Sequence, residues 1–569
     1  MTLRKASAPH FHFSHRTDDP VEQFRGRLFS ILPGLLSWTI LIGLTLLSFA
    51  QPLYAAMIVV GLNIFWLMRI FYMTLFLALA YAVLAVEKET DWGERCRILQ
   101  MGEAGIPLLR EKKRAAFKAR RWRRLIDLKN EARELRRVID QKIAVPPMDS
   151  IYHIVIIATA KEGREIIEPG LLGLQRSQFP GSRIVPIIAV EERTGPQQQA
   201  MAEELQKKYQ EFFYDFLVAV HPDGIPGEER VKGANVTYAA KQAAKFFQAE
   251  KIPFENIIVS CFDADTIASP QYFAALTYHF MRNPCRTRAS YQPIPVYHNN
   301  ILQAPAFVRV LETGSSFFQL IEATNPEKLV TFSSHSMSFK ALVEIDYWPV
   351  DMISDDSAIF WKALIHYGGD YRVVPMYVTV SMDAVMADSF WKTIVSVYKQ
   401  KLRWAWGVEN LPIVLRAFMK ENRITAAQKT RYIVKLLEMH ISWATLGFLI
   451  TFIGWLPAIF ATQEFSSSVL YYNASRISSL IFNLASTTLI ITIIIAQMLL
   501  PKKKTRYPIL KRLLYASEWL LIPFVFTFLS SMPALDAQTR LASGRMMHFQ
   551  VTEKKRRRSM GLRSGKKGV

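Results

Sequence analysis

Apolar and polar positions divide the chain into three regimes. Residues 28–50 form an uninterrupted apolar stretch, close to the roughly 20 residues a helix needs to cross a bilayer. Gln51-Pro52 ends it, and a second apolar run covers residues 53–86. At about 1.5 Å per residue that run would reach about 51 Å, beyond a hydrocarbon core of about 30 Å, so the second helix is expected to tilt or to extend into the cytosol. Arg69, in its later half, is expected to snorkel to the inner interface. Residues 441–461 and 477–500 read as two further spans, joined by a connector with the single basic residue Arg476. Residues 513–535 are long enough for a fifth. A crossing there would carry Arg540, Arg545 and the basic residues 554–558 outward, so a re-entrant or interfacial hairpin with a cytosolic tail is preferred.

The second regime, residues 88–142, is densely basic. It holds Lys112-Lys113-Arg114 and Arg120-Arg121-Trp122-Arg123-Arg124, with Leu109, Phe117, Leu125, Leu128 and Leu135 interleaved. That mixture predicts helix lying near anionic lipid headgroups. In the third regime, from residue 151 to about 384, short apolar runs alternate with amphipathic stretches. Residues 154–158, 184–190, 216–220 and 257–262 are expected as buried parallel strands, and 199–215 and 236–248 as helices between them. Such alternation predicts an open, mostly parallel α/β sheet inserted between the apolar helices, with ligands beyond the carboxyl ends of its strands.

Composition narrows the class. Half of the 569 residues are hydrophobic, yet the net charge is +22. A membrane protein with a basic cytosolic face combines these naturally. A nucleic-acid partner is not expected, because the basic residues crowd beside apolar spans instead of forming a separate domain. Cys96, Cys261 and Cys285 have no paired or metal-ligand spacing, which suits a reducing cytosol. The polar N-terminal tail precedes its first apolar run with no small-residue cleavage site after it, so that run is expected as an anchor. The excess of Lys and Arg places the tail, the basic stretch and the α/β domain in the cytosol, and the chain as a multi-pass protein of the inner (plasma) membrane.

Candidate chemistry comes in a fixed order. Glu191-Glu192 end one expected strand and Asp263-Ala264-Asp265 another; Asp355-Asp356 follow, then Gln400-Lys401-Leu402-Arg403-Trp404. Two carboxylates flanking a small residue at a strand end suit a hard cation such as Mg²⁺ or Mn²⁺, which keeps waters and bridges phosphates. On a helix, Gln400, Arg403 and Trp404 share one face. Together these residues supply what sugar transfer from a nucleotide requires: a cation on the diphosphate, a carboxylate to take the acceptor proton, and an Arg and a Trp for leaving group and sugar.

The block from residue 151 to about 407 resembles the processive, membrane-embedded branch of glycosyltransferase family 2, which includes cellulose, hyaluronan and chitin synthases. Residues 154–162, with the turn Ala160-Lys161-Glu162, are similar to that family's opening strand and turn. Glu191-Glu192 stand where the family has Asp residues contacting the nucleotide base. Lys232-Gly233-Ala234-Asn235 resembles its segment near the diphosphate, and Asp263 and Asp265 match its metal motif. Phe332-Ser333-Ser334-His335-Ser336 occupies the place of the acceptor-site turn, which makes Ser334 and His335 acceptor contacts. In Ser354-Asp355-Asp356, Asp356 takes the general base position with Asp355 beside it. Gln400, Arg403 and Trp404 match the family pentapeptide, with Gln400 and Arg403 on the donor side and Trp404 under the acceptor. Phe549-Gln550-Val551-Thr552-Glu553-Lys554 resembles the gating loop of cellulose synthase, through Phe549, Val551 and Thr552.

The resemblance implies a GT-A-like domain at 151–390. Around it are expected a cytosolic tail (1–27), two membrane helices (28–87), a basic juxtamembrane linker (88–150) and interfacial helices with the pentapeptide (391–435). Two more membrane helices and a basic loop (436–512), a re-entrant or fifth membrane segment with an interfacial helix (513–548), and a gating motif with a basic tail (549–569) complete the chain. The activity implied is metal-dependent inverting transfer from a nucleotide-sugar, a UDP-sugar above all, to a growing polysaccharide, coupled to export. Addition of one sugar to a lipid acceptor is the alternative, and a non-enzymatic membrane scaffold is a third reading from another class.

Overall fold

The computed structural model describes residues 11–460, 483–484, 487–501 and 508–547. The expected gating residues Phe549, Val551 and Thr552, the Lys502-Lys503-Lys504 run and the connector that ends at Arg476 lie outside these residues. Among the described residues four helices are long and apolar enough to cross a membrane: α1 (Pro20–Ala50), α2 (Pro52–Glu87), α15 (Ala426–Thr451) and the stretch Ile509–Ser543; the apolar helix Thr487–Leu499 is shorter. Asp19 caps α1 by accepting the Val21 N–H, with Pro20 in the first turn, and Gln51-Pro52 separates α1 from α2.

Arg69 forms an ion pair with Glu438 of α15 and lies over the Trp66 ring. One expectation about this part is corrected. The hairpin expected over 513–535 is absent, because Ile509–Ser543 runs as one helical path of 35 residues. Pro523 and Pro533 do not break it. Each follows a local change of winding, a 3₁₀ turn over Glu518–Leu521 and a π-turn over Thr527–Ser531, which absorbs the missing N–H.

Between these helices lie an α/β domain and the elements that cover it. Its strands are β1 (Tyr152–Thr159), β2 (Ile184–Glu191), β3 (Leu217–His221), β4 (Ile257–Asp263), β5 (Ile267–Ala268), β6 (Ala289–Val296), β7 (Ser336–Ser338) and β8 (Arg372–Ser381). They form one sheet in the order β3-β2-β1-β4-β7-β6-β8-β5. Pairs β1–β2, β2–β3, β1–β4 and β6–β8 are parallel; β4–β7, β6–β7 and β5–β8 are antiparallel. The helices are α3 (Trp92–Met101), α4 (Gly105–Lys118), α5 (Trp122–Asp140), α6 (Arg164–Gln175), α7 (Pro196–Tyr209), α8 (Lys232–Ala249), α9 (Tyr272–Met281), α10 (Ala306–Ala323), α11 (Phe339–Glu344), α12 (Asp355–His366), α13 (Phe390–Ala405) and α14 (Asn410–Lys420).

The continuous apolar strands reflect burial on both faces. Ile154 and Ile156 of β1 pack with Ala239, Ala243 and Phe247 of α8, while Val155 and Ile157 pack with Leu171 of α6 and Leu205 of α7. The helix expected over 199–215 ends earlier, at Tyr209, because Phe213 and Phe216 turn into the core ahead of β3. The basic stretch turns most of its apolar residues inward, onto the α/β domain. Leu109, Leu128 and Leu135 are buried with Trp92, Tyr278 and Phe280 on the back of the sheet, leaving Phe117 alone of the expected apolar set facing outward. Register then fixes the crevice: Ala158 pairs with Ala189 on one side and Asp263 on the other, so the ends of β1, β2 and β4 are level.

Candidate active site

A single ammonium gathers the acids of this crevice. Lys232, at the first turn of α8, donates from Nζ to Asp263 Oδ1 at 2.8 Å and to both carboxylate oxygens of Asp356 at 3.0 and 3.2 Å. Asp355 Oδ2 stands 3.9 Å away. Burial works against the charge on Lys232, but Asp263 and Asp356 outweigh it and hold the ammonium well above the ordinary lysine range. Asp355 is pushed the opposite way for a carboxyl, upward, first by burial and then by the charge of Asp356. Asp356, a quarter exposed, is thus the carboxylate open to the crevice, and Asp355 the one that stays closed in.

Local sequence explains the convergence. A Cβ on Gly233 would lie 2.1 Å from the Pro349 carbonyl and 3.3 Å from Asp355 Cβ, so only glycine lets the loop before α12 close on α8. Asn235 donates to the Ala189 carbonyl at 3.0 Å and the Thr159 carbonyl at 3.4 Å, which ties α8 to the ends of β1 and β2. Lys232-Gly233-Ala234-Asn235 is therefore three devices in one turn: charge, clearance and anchor. Asp355 and Asp356 occupy the first turn of α12, where the helix N-terminus favours negative charge.

Glu409 was not singled out from sequence, and it organises the next layer. Its Oε1 accepts from the Ser354 N–H at 2.8 Å and the Ser354 hydroxyl at 2.6 Å; its Oε2 accepts from Trp406 Nε1 at 2.8 Å and faces His15 Nε2 at 3.1 Å. Asn410 adds bonds to the hydroxyls of Ser354 and Ser357, both at 3.0 Å. His15 belongs to an N-terminal strap laid across the site's back. Phe13 is buried, Ser14 bonds Asp351, Arg416 donates to the Ser14 carbonyl at 2.7 Å, and Arg16 pairs with Glu229 at 2.6 Å. Glu409→Ala would leave the Ser354 and Trp406 donors buried without an acceptor. We expect a loss of about 1–3 kcal/mol in stability, read as a lowered unfolding midpoint in detergent.

The expected acceptor turn sits beside the same acids. Ser333 Oγ donates to Asp263 Oδ2 at 2.6 Å, and His335 Nδ1 lies 3.7 Å from Asp356 Oδ1 while bonding the Phe332 carbonyl at 3.1 Å. Ser334 adopts φ +62°, a strained value for a non-glycine residue, and its hydroxyl meets Thr266 at 2.9 Å. Gln292 Oε1 accepts the Phe332 N–H at 2.8 Å and fixes the turn. Burial lowers the pKa of His335, with Asp356 opposing, so its imidazole is held toward neutrality.

The pentapeptide lies on α13 as its spacing requires. Gln400 is buried, Arg403 and Trp404 are half-buried, and Arg403 exerts its charge on Asp355. Lys401 is the surprise. It is buried, bonds Glu312 at 3.1 Å and Ser315 at 3.0 Å on α10, and lies 3.6 Å from the Trp404 ring centroid. Glu162, Glu191 and Glu192 stay at the crevice rim, apart from the Lys232 cluster. Glu162 accepts the Ala160 N–H at 2.7 Å, Glu191 pairs with Arg193, and exposed Glu192 accepts the Asp223 N–H at 3.1 Å.

Among the described residues no three His, Cys, Asp or Glu side chains are grouped to enclose a metal. Asp263 opens on the crevice, whereas Asp265 is fully buried and its Oδ2 accepts the Asp383 N–H at 2.7 Å. This donor set fits a cation that arrives with phosphate oxygens and water and is held by Asp263, not one caged by protein alone.

Residues 258–499 match the family described as glycosyl transferase family group 2. A poly-beta-1,6-N-acetyl-D-glucosamine synthase of Staphylococcus aureus (strain COL) is 28% identical over 165 residues, 28% of this chain and 36% of the relative. The chain thus spans about a third of the length of the curated relatives it matches. Among solved structures, a mannosyltransferase (PcManGT) from Pyrobaculum calidifontis in complex with GDP-Man and Mn²⁺ overlaps 71% of this chain and 97% of its own, at TM-score 0.38 and 14% identity. S. aureus TarS 1–349 in complex with UDP-GlcNAc overlaps 70% and 94%, at TM-score 0.34 and 13% identity.

Proposed function

We propose that this chain, identified with glycosyl transferase family group 2 through residues 258–499, moves a sugar from a uridine diphosphate donor onto a growing polysaccharide by one inverting displacement. The observation that carries this reading is the Lys232 junction, where Asp263, Asp355 and Asp356 from two separate elements share one ammonium at the strand ends. Asp356 takes the proton of the acceptor hydroxyl as that oxygen bonds the anomeric carbon and the diphosphate departs, a contribution of about 10²–10⁴-fold. Lys232 and Arg403 meet the charge that grows on the leaving diphosphate. A bound Mg²⁺ or Mn²⁺, held by Asp263, would add Lewis-acid stabilisation of the same oxygens. Asp265 braces that strand end through the Asp383 backbone.

Trp404 offers a flat face to the acceptor sugar, with Ser334 and His335 beside it, Gln400 faces the donor sugar, and Glu162, Glu191 and Glu192 line the nucleotide end. The α/β domain at 151–390 lies in the cytosol with the tail at 1–27 and the basic linker, and the product leaves between the apolar helices. A polymer acceptor is supported by the relative named as a poly-N-acetylglucosamine synthase.

The test is nucleotide release by the purified full chain in detergent, with Mn²⁺ or Mg²⁺ and a panel of uridine and guanosine diphosphate sugars. The expected result is release from one uridine donor, with product that lengthens over time. Release that requires an added lipid and stops after one sugar would replace the polymer reading with single addition. Silence across donors and acceptors would favour the scaffold.

A further inference from the structure

The turn between α4 and α5 carries the most exposed apolar side chains of the basic stretch. Phe117 and Trp122 are each 60% exposed and Ile126 is 51% exposed, although the other large apolar residues of both helices are buried or half-buried. The two rings meet edge to face at 6.0 Å, so they form one small apolar ridge. Lys118, Arg120, Arg121 and Arg123 surround it, all exposed. Among the described residues Lys118, Arg120 and Arg121 have no ion-pair partner, whereas the next residue along, Arg124, is tied down by Asp127 and Glu94.

Position gives this ridge its partner. The turn is bonded to the residues that directly follow α2: Arg123 reaches Glu89 at 3.4 Å, and Asp127 accepts from Thr90 at 2.9 Å. Since α2 is apolar enough to cross a membrane and ends at Glu87, the ridge follows directly on a helix that can reach the bilayer. Aromatic rings with a polar surround favour the headgroup region, and a group of exposed cations, three of them without an ion-pair partner, favours an anionic leaflet.

We propose that the α4–α5 turn is a membrane foot: Phe117, Trp122 and Ile126 enter the headgroup layer of an anionic leaflet, and Lys118, Arg120, Arg121 and Arg123 bind its lipid phosphates. The foot fixes the α/β domain against the bilayer at a second point, beside α2. It is independent of the sugar-transfer reading, since no residue of the Lys232 cluster takes part.

The full chain in lipid nanodiscs tests this directly. Cys285 is the exposed cysteine, while Cys96 and Cys261 are buried, so Cys285→Ser with Ala119→Cys places one reactive thiol in the turn and keeps both rings. An environment-sensitive label there is expected to shift to the blue in discs containing phosphatidylglycerol and to be quenched by chain-brominated lipid. The quenching should fall several-fold in purely zwitterionic discs or at high salt. A label at Glu255→Cys, at the opposite end of β4, should stay open to aqueous acrylamide throughout. Equal quenching in both lipid compositions would overturn the anionic preference, and a label at 119 as open to acrylamide as that at 255 would overturn the foot. Shielding that persists in detergent would mean that a second copy of the chain covers the ridge. The lipid and salt arms need no charge variant, so misfolding cannot imitate a positive result.

Discussion

Asp356→Asn is expected to leave a folded protein whose sugar transfer falls by about 10²–10⁴-fold, measured as nucleotide release under saturating donor. Asn fills the same space but accepts no proton. Lys232 keeps Asp263 at 2.8 Å, so the crevice does not lose its cation. The substitution also removes a negative charge that pushes Asp355 upward. A carboxyl with a raised folded pKa stabilises the folded state below its unfolded pKa, and that contribution is lost as pH rises through the folded value. The wild-type protein is therefore expected to lose stability with rising pH more steeply than Asp356→Asn. An unfolding midpoint followed from acid to neutral pH separates this charge effect from the loss of the base. A variant that keeps transfer would place the base elsewhere and withdraw the proposed role of Asp356.

The largest effect on stability is expected at Lys401. Its ammonium and the Glu312 carboxylate are both buried, and burial lowers the lysine pKa with Glu312 opposing. Removing either partner alone, as in Lys401→Met or Glu312→Leu, strands a charge away from water and is expected to cost about 3–5 kcal/mol. The double variant should recover most of that, because two apolar chains of similar size replace a desolvated pair. Recovery of stability need not restore transfer, since Lys401 also holds the Trp404 ring from 3.6 Å. Unfolding midpoints of the four proteins, read beside their transfer rates, give both answers. If the single variants unfold like wild type, the pair is not the lock between α10 and α13 that its burial implies.

Much of this arrangement was legible in the sequence where one local rule decides it. Strands β1, β2 and β4 read as unbroken apolar runs because helices cover both faces, and the acids at their ends follow from the crossover rule. Gln400, Arg403 and Trp404 are on one helix, as the spacing requires. What escaped depends on partners far away in the chain. Gly233 is needed because of Pro349, Glu409 matters because Ser354 and Trp406 point at it, and Arg69 is neutralised by Glu438. Apolar patterning over 88–142 could not tell lipid from a sheet's back, since both reward the same leucines. The charge over 540–558 argued for a hairpin at 513–535, but a 3₁₀ turn and a π-turn carry the helix past Pro523 and Pro533.

The N-terminal strap gives the site an order of assembly. Ser14, His15 and the Ser14 carbonyl bind Asp351, Glu409 and Arg416, across separations of 337, 394 and 402 residues. During synthesis the strap is made first, waits while α1, α2 and the sheet are made, and finds its partners only after Arg416 has emerged. Loop closure over such distances makes this a late event, so the sheet can be complete before the helix that carries Asp355 and Asp356 is fixed at its start. A nascent chain halted before residue 409 would thus own its strands, its Lys232 and its acids, and still lack a set active site.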